Sequence, residues 1–307
     1  MGGMVMRITN NMLINNIMLS LSNNLNRTQK YQSQLATGKK ITMPSDDPIV
    51  ASKALKLRTD VAEIQQYRRN ADDAISWMEI TEATMNQIGE VVHRFREISV
   101  QASNGTNSED DIQKIRAEAE ELRSQLIHLA NTTYAGRHIF SGYKTDKPLL
   151  DDEGNFNVNI ANSEQIKFEI GIGDDINVNV PGSDLFHRGA NAAAGDKSSF
   201  VDTFDKVIDA MESGDYDGIS SLLEDLDLEV DNMLRVRAGL GARMNRVELT
   251  SNRLDDDNVN FTRLMSLNED VDMAEAIMNL VNERSVYQAS LSTSAKVIQE
   301  SLVDYLR

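Results

Sequence analysis

Cysteine is absent from the 307 residues, which removes disulfides, thiolate-bound zinc and thiol chemistry together and leaves the redox compartment open. Aromatic residues are scarce. Eight Phe, seven Tyr and one Trp, in a chain that is 40% apolar, leave the packing to Leu, Ile, Val, Met and Ala, as in slender helical assemblies, and argue against a compact aromatic-rich fold. Basic residues are few: 31 Lys and Arg against 48 Asp and Glu give a formal net charge of −17. With no basic stripe to neutralise phosphates, no nucleic-acid partner is expected. No run reaches the ~18 apolar residues of a membrane span, and residues 12–21 are interrupted by Asn15 and Asn16, a poor signal-peptide core. If the protein is secreted, it uses another export route.

The common chemistries lack their residues as well. The four histidines, His93, His128, His138 and His187, are far apart, and no His-Glu-x-x-His pair places two imidazoles on one helix face around a metal. Gly239-Leu240-Gly241 begins like a dinucleotide fingerprint but has no third glycine and no preceding strand. Asp215-Tyr216-Asp217-Gly218 resembles a piece of a calcium loop without its bidentate acid, and reads as a solvated turn. Ser198-Ser199 and Ser220-Ser221 lack the Gly-x-Ser-x-Gly elbow of a nucleophile. The eleven carboxylates between Asp202 and Asp231 are spread by helical spacing over several faces, and read as solvated. No catalytic, cofactor-binding or metal residue is assigned, no cofactor is expected, and the chain is expected not to be an enzyme.

What is present is charge asymmetry and long apolar seams. Residues 1–45 carry Arg7, Arg27, Lys30, Lys39 and Lys40 and no acid, whereas residues 268–307 carry seven acids against Arg284, Lys296 and Arg307. The two ends are therefore electrostatic complements. From Val50 the apolar positions step by four and three through Ala54, Leu57, Val61, Ile64, Ala71, Ile75, Met78, Met85, Ile88, Val92 and Phe95 to Ala102, a heptad seam predicting one helix of about 53 residues. Asp47 is placed to N-cap it, Pro48 fits its first position, and the turn residues 103–107 stop it. A second seam, Ile112, Ile115, Ala119, Leu122, Leu126 and Leu129, enters through Ser108 and ends near Gly136; it should return antiparallel to the first. A third runs from Ile219 to Leu264 with Glu229 and Arg243 off pattern, and Gly239 and Gly241 in its middle predict a bend or a close helix contact.

Between the second and third seams the period changes to two. Phe156, Val158 and Ile160, then Ile166, Phe168, Ile170 and Ile172, then Ile176, Val178 and Val180 predict three short strands, followed by a return linker over 188–199. The termini show weaker helical seams, Ile14, Ile17, Leu21 and onward at one end and Met273, Ile277, Leu280, Tyr287, Leu291, Ile298, Leu302 and Tyr305 at the other. Each is marginal alone, so both are expected to be mobile in the free monomer and to fold on assembly. The fold expected is mainly α: a long antiparallel helical rod, or coiled-coil bundle, with paired terminal helices and a small inserted β domain. Its parts are a terminal assembly domain (1–45 with 268–307), a central rod (46–147 with 200–267) and the insert (148–199).

The segment Leu35-Ala36-Thr37-Gly38-Lys39-Lys40-Ile41-Thr42-Met43-Pro44-Ser45-Asp46-Asp47-Pro48 resembles the stretch that follows the N-terminal helix in flagellin-family proteins, and Asp270-Val271-Asp272-Met273-Ala274-Glu275-Ala276 resembles their C-terminal signature. Within that family, the stretch from Asn131 to Thr145, with Gly136-Arg137-His138-Ile139-Phe140-Ser141-Gly142-Tyr143 at its centre, is similar to hook–filament junction members rather than to filament subunits. So is the ending Tyr287-Gln288-Ala289-Ser290-Leu291. Met6-Arg7-Ile8 is equivalent to the usual start of members. The resemblance implies an extracellular structural subunit of the bacterial flagellum, exported by the flagellar type III apparatus, that joins hook to filament and nucleates flagellin. It implies these partners: copies of itself in one helical layer with head-to-tail contacts, the other hook-associated junction protein, flagellin, and a cytosolic export chaperone on the C-terminal helix. The expected assembly contacts are Ile14, Ile17 and Leu21 against Leu280, Tyr287, Leu291 and Ile298. The alternatives are a filament subunit and, from another class, a cytosolic coiled-coil adaptor.

Overall fold

The computed structural model describes residues 10–104 and 108–303, with only the backbone for 10, 11, 13 and 296–303. Met6, Arg7, Ile8 and Tyr305, the turn residues 105–107, and the side chains of Ile298 and Leu302 lie outside the described residues. In chain order the described elements are α1 (Asn10–Thr37), α2 (Pro48–Ser103), α3 (Glu109–Ala130), β1 (Thr133–Tyr134), β2 (Arg137–His138), β3 (Lys167–Gly171), β4 (Asp174–Asn177), α4 (Gly182–Phe186), α5 (Ser199–Ser213), α6 (Tyr216–Glu269) and α7 (Met273–Val303). The fold class is the expected one, mainly α with a small inserted β region. Two compact units divide the chain: Met1–Ala62 with Asn258–Arg307, and Glu63–Asp257.

In the first unit the starts of α2 and α7 are capped by acids. Asp47 Oδ1 accepts from Ile49 N (3.0 Å) and Val50 N (3.1 Å) ahead of Pro48, and Asp272 Oδ1 accepts from Ala274 N (2.9 Å) ahead of α7. At the end of α1, Gly38 takes the left-handed conformation, φ +70°, and its amide closes the last turn on Gln34 O at 2.8 Å.

The second unit holds the large hydrophobic core, and the predicted seams supply it. Ala71, Met78, Met85, Ile88, Val92, Phe95 and Ala102 of α2 are buried, as are Ile112, Ile115, Ala119, Leu126 and Leu129 of α3 and Ile219, Leu226, Met233, Val236, Leu240 and Val247 of α6. Ion pairs show the directions: Arg96–Asp227 (2.7 Å), Glu82–Arg237 (2.7 Å) and Arg68–Asp255 (2.9 Å) run oppositely along α2 and α6. Arg94–Glu118 (2.7 Å) joins α2 and α3 at positions equally far from the turn between them. The scarce aromatics are concentrated here, where Phe95, Phe140, Phe156, Phe186, Phe200 and Phe204 are all fully buried. Phe95 and Phe204 stack with centroids 3.6 Å apart, and Phe140 meets Phe186 edge to face.

Several expectations need correction. The helix from Ser108 ends at Ala130, not near Gly136. Asn131 stops it by exchanging two hydrogen bonds with the Leu150 backbone (2.9 and 3.0 Å), and β1 then pairs antiparallel with β2 through a two-residue turn in which Ala135 (φ +49°) and Gly136 (φ +76°) are both left-handed. Of the three expected strands, two form, as the β3–β4 hairpin. Phe156, Val158 and Ile160 alternate inward as the period required, yet only Phe156 and Ile160 of the three form bridges, and these are isolated. Successive amides turn to different segments, Phe156 N to Asp196 O and Asn157 N to Leu149 O, so no ladder grows. The expected 188–199 linker is bracketed by α4 and α5 and carries the buried Ala192, bridged to Ile160.

The close contact expected at Gly239 and Gly241 is not there: a Cβ at either meets nothing within 4 Å, and α6 runs on uninterrupted. Nor are all eleven carboxylates of 202–231 solvated. Glu229 is fully buried, with Arg188 Nε 2.6 Å from its Oε1; Arg188 itself adopts a left-handed backbone (φ +48°). Burial pushes the Glu229 carboxyl above its ordinary value, against the opposing pull of Arg188.

Candidate assembly face of the terminal helices

α1 and α7 pair antiparallel. Arg27 Nε lies 2.9 Å from Glu283 Oε1, and Lys39 pairs with Asp270, so numbers rise along one helix as they fall along the other. The seam between them mixes apolar with small and polar residues. Ile17, Ser20 and Leu21 face Val286, Ala289, Ser290, Thr293 and Ser294 across a groove of about 440 Å³. Asn24 and Ser294 are buried, with Ser294 Oγ donating to Ser290 O at 2.6 Å. Ile17, Leu21 and Val286 are the large apolar side chains that line the groove.

Many large apolar side chains are left exposed. Met12, Met18, Leu19 and Leu25 of α1 and Met273, Ile277, Met278, Val281, Val286 and Leu291 of α7 are exposed, Met18 by 63% and Leu291 by 44%. A scattered exposed Leu needs no explanation, but ten large apolar side chains on two paired helices do. Of the residues predicted from sequence, Ile14, Ile17, Leu21, Leu280 and Tyr287 are half-buried and Leu291 is exposed. Among the described side chains only Ile17 and Leu21 of that set line the groove; Val286, Ala289, Ser290 and Thr293 of α7 were missed because they lie beside the heptad positions Tyr287 and Leu291 rather than on them.

Also missed was a polar clasp at the far end of the pair, where the two resemblance segments meet. Lys39 forms a β-bridge with Asp270; Lys40 N donates to Glu269 O (2.7 Å) and Val271 N to Gly38 O (3.0 Å). Glu269, 1% exposed, accepts from Arg58 Nε (3.1 Å) and Nη2 and lies 3.6 Å from Lys39 Nζ, which reaches Asp270 at 2.7 Å. The Arg58 hydrogen bond holds the Glu269 carboxyl below the usual range, as Lys39 does for Asp270; Lys39 is raised in return by its bond to Asp270. Beside the clasp, Asp46 Oδ2 gathers the amides of Thr42 (3.2 Å) and Met43 (3.0 Å), which lowers its own carboxyl. The clasp uses charge and backbone together to fix where α1 ends and α7 begins. The pairing of a lysine-bearing and an acid-bearing motif was the available signal for it.

Nothing in this arrangement activates a nucleophile or gathers metal ligands; among the described residues no group of three or more His, Asp and Glu is placed to hold a metal ion, and no helix is long and apolar enough to cross a membrane.

The model of the bacterial flagellin N-terminal helical region matches residues 8–145, and that of the bacterial flagellin C-terminal helical region matches 223–306. Flagellar hook-associated protein 3 of Escherichia coli is 30% identical over 303 residues, covering 93% of this chain and 95% of that protein. Flagellin of Bacillus subtilis is 27% identical, covering 96% and 97%. Among solved structures, FlgL of Bacillus cereus superposes with a TM-score of 0.58 at 23% identity, covering 69% of this chain and 99% of that one. The flagellar junction protein FlgL of Legionella pneumophila does so with a TM-score of 0.56 at 18% identity, covering 71% and 100%. At these identities the superpositions speak for the fold alone.

Proposed function

The chain belongs to the bacterial flagellin family, and from that premise we propose that it is a structural subunit of the flagellum that connects hook to filament and nucleates flagellin assembly. The observation that carries the reading is the combination at the termini: a clasp that fixes the α1–α7 pair within one chain, and large apolar side chains left exposed on both helices. A monomer gains nothing from that exposure; a helical layer of copies buries it. The segments 1–45 and 268–307 then form the assembly domain, 46–147 with 200–267 the central helices and 148–199 the insert. Ile14, Ile17, Leu21, Leu280, Tyr287, Leu291 and Ile298 contribute to contacts between copies.

A junction layer has two faces. One meets the other hook-associated protein, the other receives the first flagellin, and before export a cytosolic chaperone shields the C-terminal helix. Export runs through the flagellar type III apparatus, and the subunit catalyses no reaction. The identity to hook-associated protein 3, 30% against 27% for flagellin of Bacillus subtilis, supports the junction role over that of a filament subunit, although both match nearly the whole chain. The test is electron microscopy of a deletion strain with a blot for flagellin in its medium. Bare hooks with abundant leaked flagellin are expected. Bare hooks without secreted flagellin indicate a filament subunit instead, and intact filaments remove the flagellar reading.

A further inference from the structure

A polar cavity of about 320 Å³ opens in the second unit between the segment leading into α4 and the middle of α6, and nothing in the assembly role uses it. Its size is at the lower end of small-molecule sites. Arg243 forms part of its wall. Its guanidinium donates to the carbonyls of Asn177 (3.2 Å), Asn179 (3.1 Å) and Gly239 (3.3 Å), and no carboxylate lies within ion-pair distance among the described residues. The one acid near enough to act on it, Asp184, is already engaged, accepting from Arg235 Nη2 at 2.6 Å. Burial pulls the Arg243 guanidinium below its ordinary value. A cation drawn partly out of water without a counter-ion is a standing cost unless something offsets it.

Two further observations converge on the same cavity. The side-chain amides of Asn162, Gln165 and Asn177 line it and make no hydrogen bond among the described residues. Gly239 also lines it, in a helix interior where glycine is unfavourable, and an added Cβ there would meet nothing within 4 Å. Packing therefore does not call for glycine at 239; the missing side chain keeps the wall open.

We propose that this cavity binds a small carboxylate-bearing, polyhydroxylated molecule of the acidic-sugar class. The carboxylate sets itself against the N–H groups of Arg243 that the carbonyls leave over, as guanidinium geometry favours. The hydroxyls, each donor and acceptor, lie among the three amides and donate to Asp184. Asp184, whose charge Arg235 offsets, adds an acceptor in the wall for a ligand whose remaining groups are hydroxyls. The proposal does not depend on the junction reading.

Titration calorimetry of the full chain with glucuronate, with glucose and acetate as controls, tests it. Saturable glucuronate binding is expected, at least tenfold tighter than either control. Gly239→Leu, which fills the cavity without removing any partner of Arg243, should abolish binding and melt no lower than the parent. Gln165→Ala, at an exposed side chain, should weaken binding several-fold and serves if the leucine variant folds poorly. Absence of saturation, acetate binding as tight as glucuronate, or unchanged affinity in both variants would overturn the proposal and confine Arg243 to stapling β4 to α6.

Discussion

Two buried glutamates respond to pH with opposite sign. Glu269 sits between Arg58 and Lys39 and its carboxyl is lowered, so the unfolded chain binds more protons there than the native one. Its contribution to stability is present above the ordinary value of 4.5 and is lost as pH falls through the folded value. Glu269→Gln should lower stability at pH 7 by about 1–3 kcal/mol, the range for a hydrogen bond to a charged group, moderated because both cations reach solvent. It should also flatten the acid limb of a melting-temperature profile below pH 4.5. Glu229 is raised by burial, so the native state holds its proton longer. Its contribution is fully present below 4.5 and declines as pH rises through the folded value, and Glu229→Gln should remove that decline in the same measurement. Neither role is visible in composition. Glu229 was legible only as an interruption of a seam, and its partner Arg188 comes from a loop whose left-handed backbone no local pattern announces.

At the scale of elements, periodicity carried most of the fold. The starts of α2 and α3 were legible because Asp47-Pro48 and Ser108 are chemical signals, and the seams of α2, α3 and α6 because heptad spacing is a direct image of burial. The insert was legible only in its period. Phe156, Val158 and Ile160 point inward as alternation requires, but which segment pairs with which is a long-range choice. At Asn179 the ladder is even continued by a side chain, whose Oδ1 accepts from Ile166 N at 2.8 Å and whose Nδ2 donates to Glu164 O at 3.0 Å. The glycines of the long helices separate two situations that sequence treats alike. At Gly241 an added methyl meets open space, so Gly241→Ala should stabilise by up to about 1 kcal/mol. At Gly89 the same methyl would lie 3.3 Å from Met233 Cε, so repacking should offset the gain, and the two variants should differ in thermal melts accordingly.

For the whole molecule, the α1–α7 seam and the clasp hold one chain together, and the exposed Met, Leu, Ile and Val of α1 and α7 are left over for the proposed contacts with other copies. The candidate site was half legible. Apolar positions on the terminal helices could be named, but a hydropathy pattern cannot tell an apolar side chain buried against its own partner helix from one left exposed for another copy. Leu291 is of the exposed kind, so in the proposed layer Leu291→Asp should remove a contact between copies and none that the monomer needs.

The most direct measurement is therefore to complement the deletion strain with the Leu291→Asp chain, and to follow filaments by electron microscopy, the variant and flagellin by blot of the medium, and the purified variant by thermal melting. The account predicts bare hooks, exported variant and leaked flagellin, with a melting profile that matches the parent. Normal filaments, or a variant whose central helices no longer melt cooperatively, would contradict it.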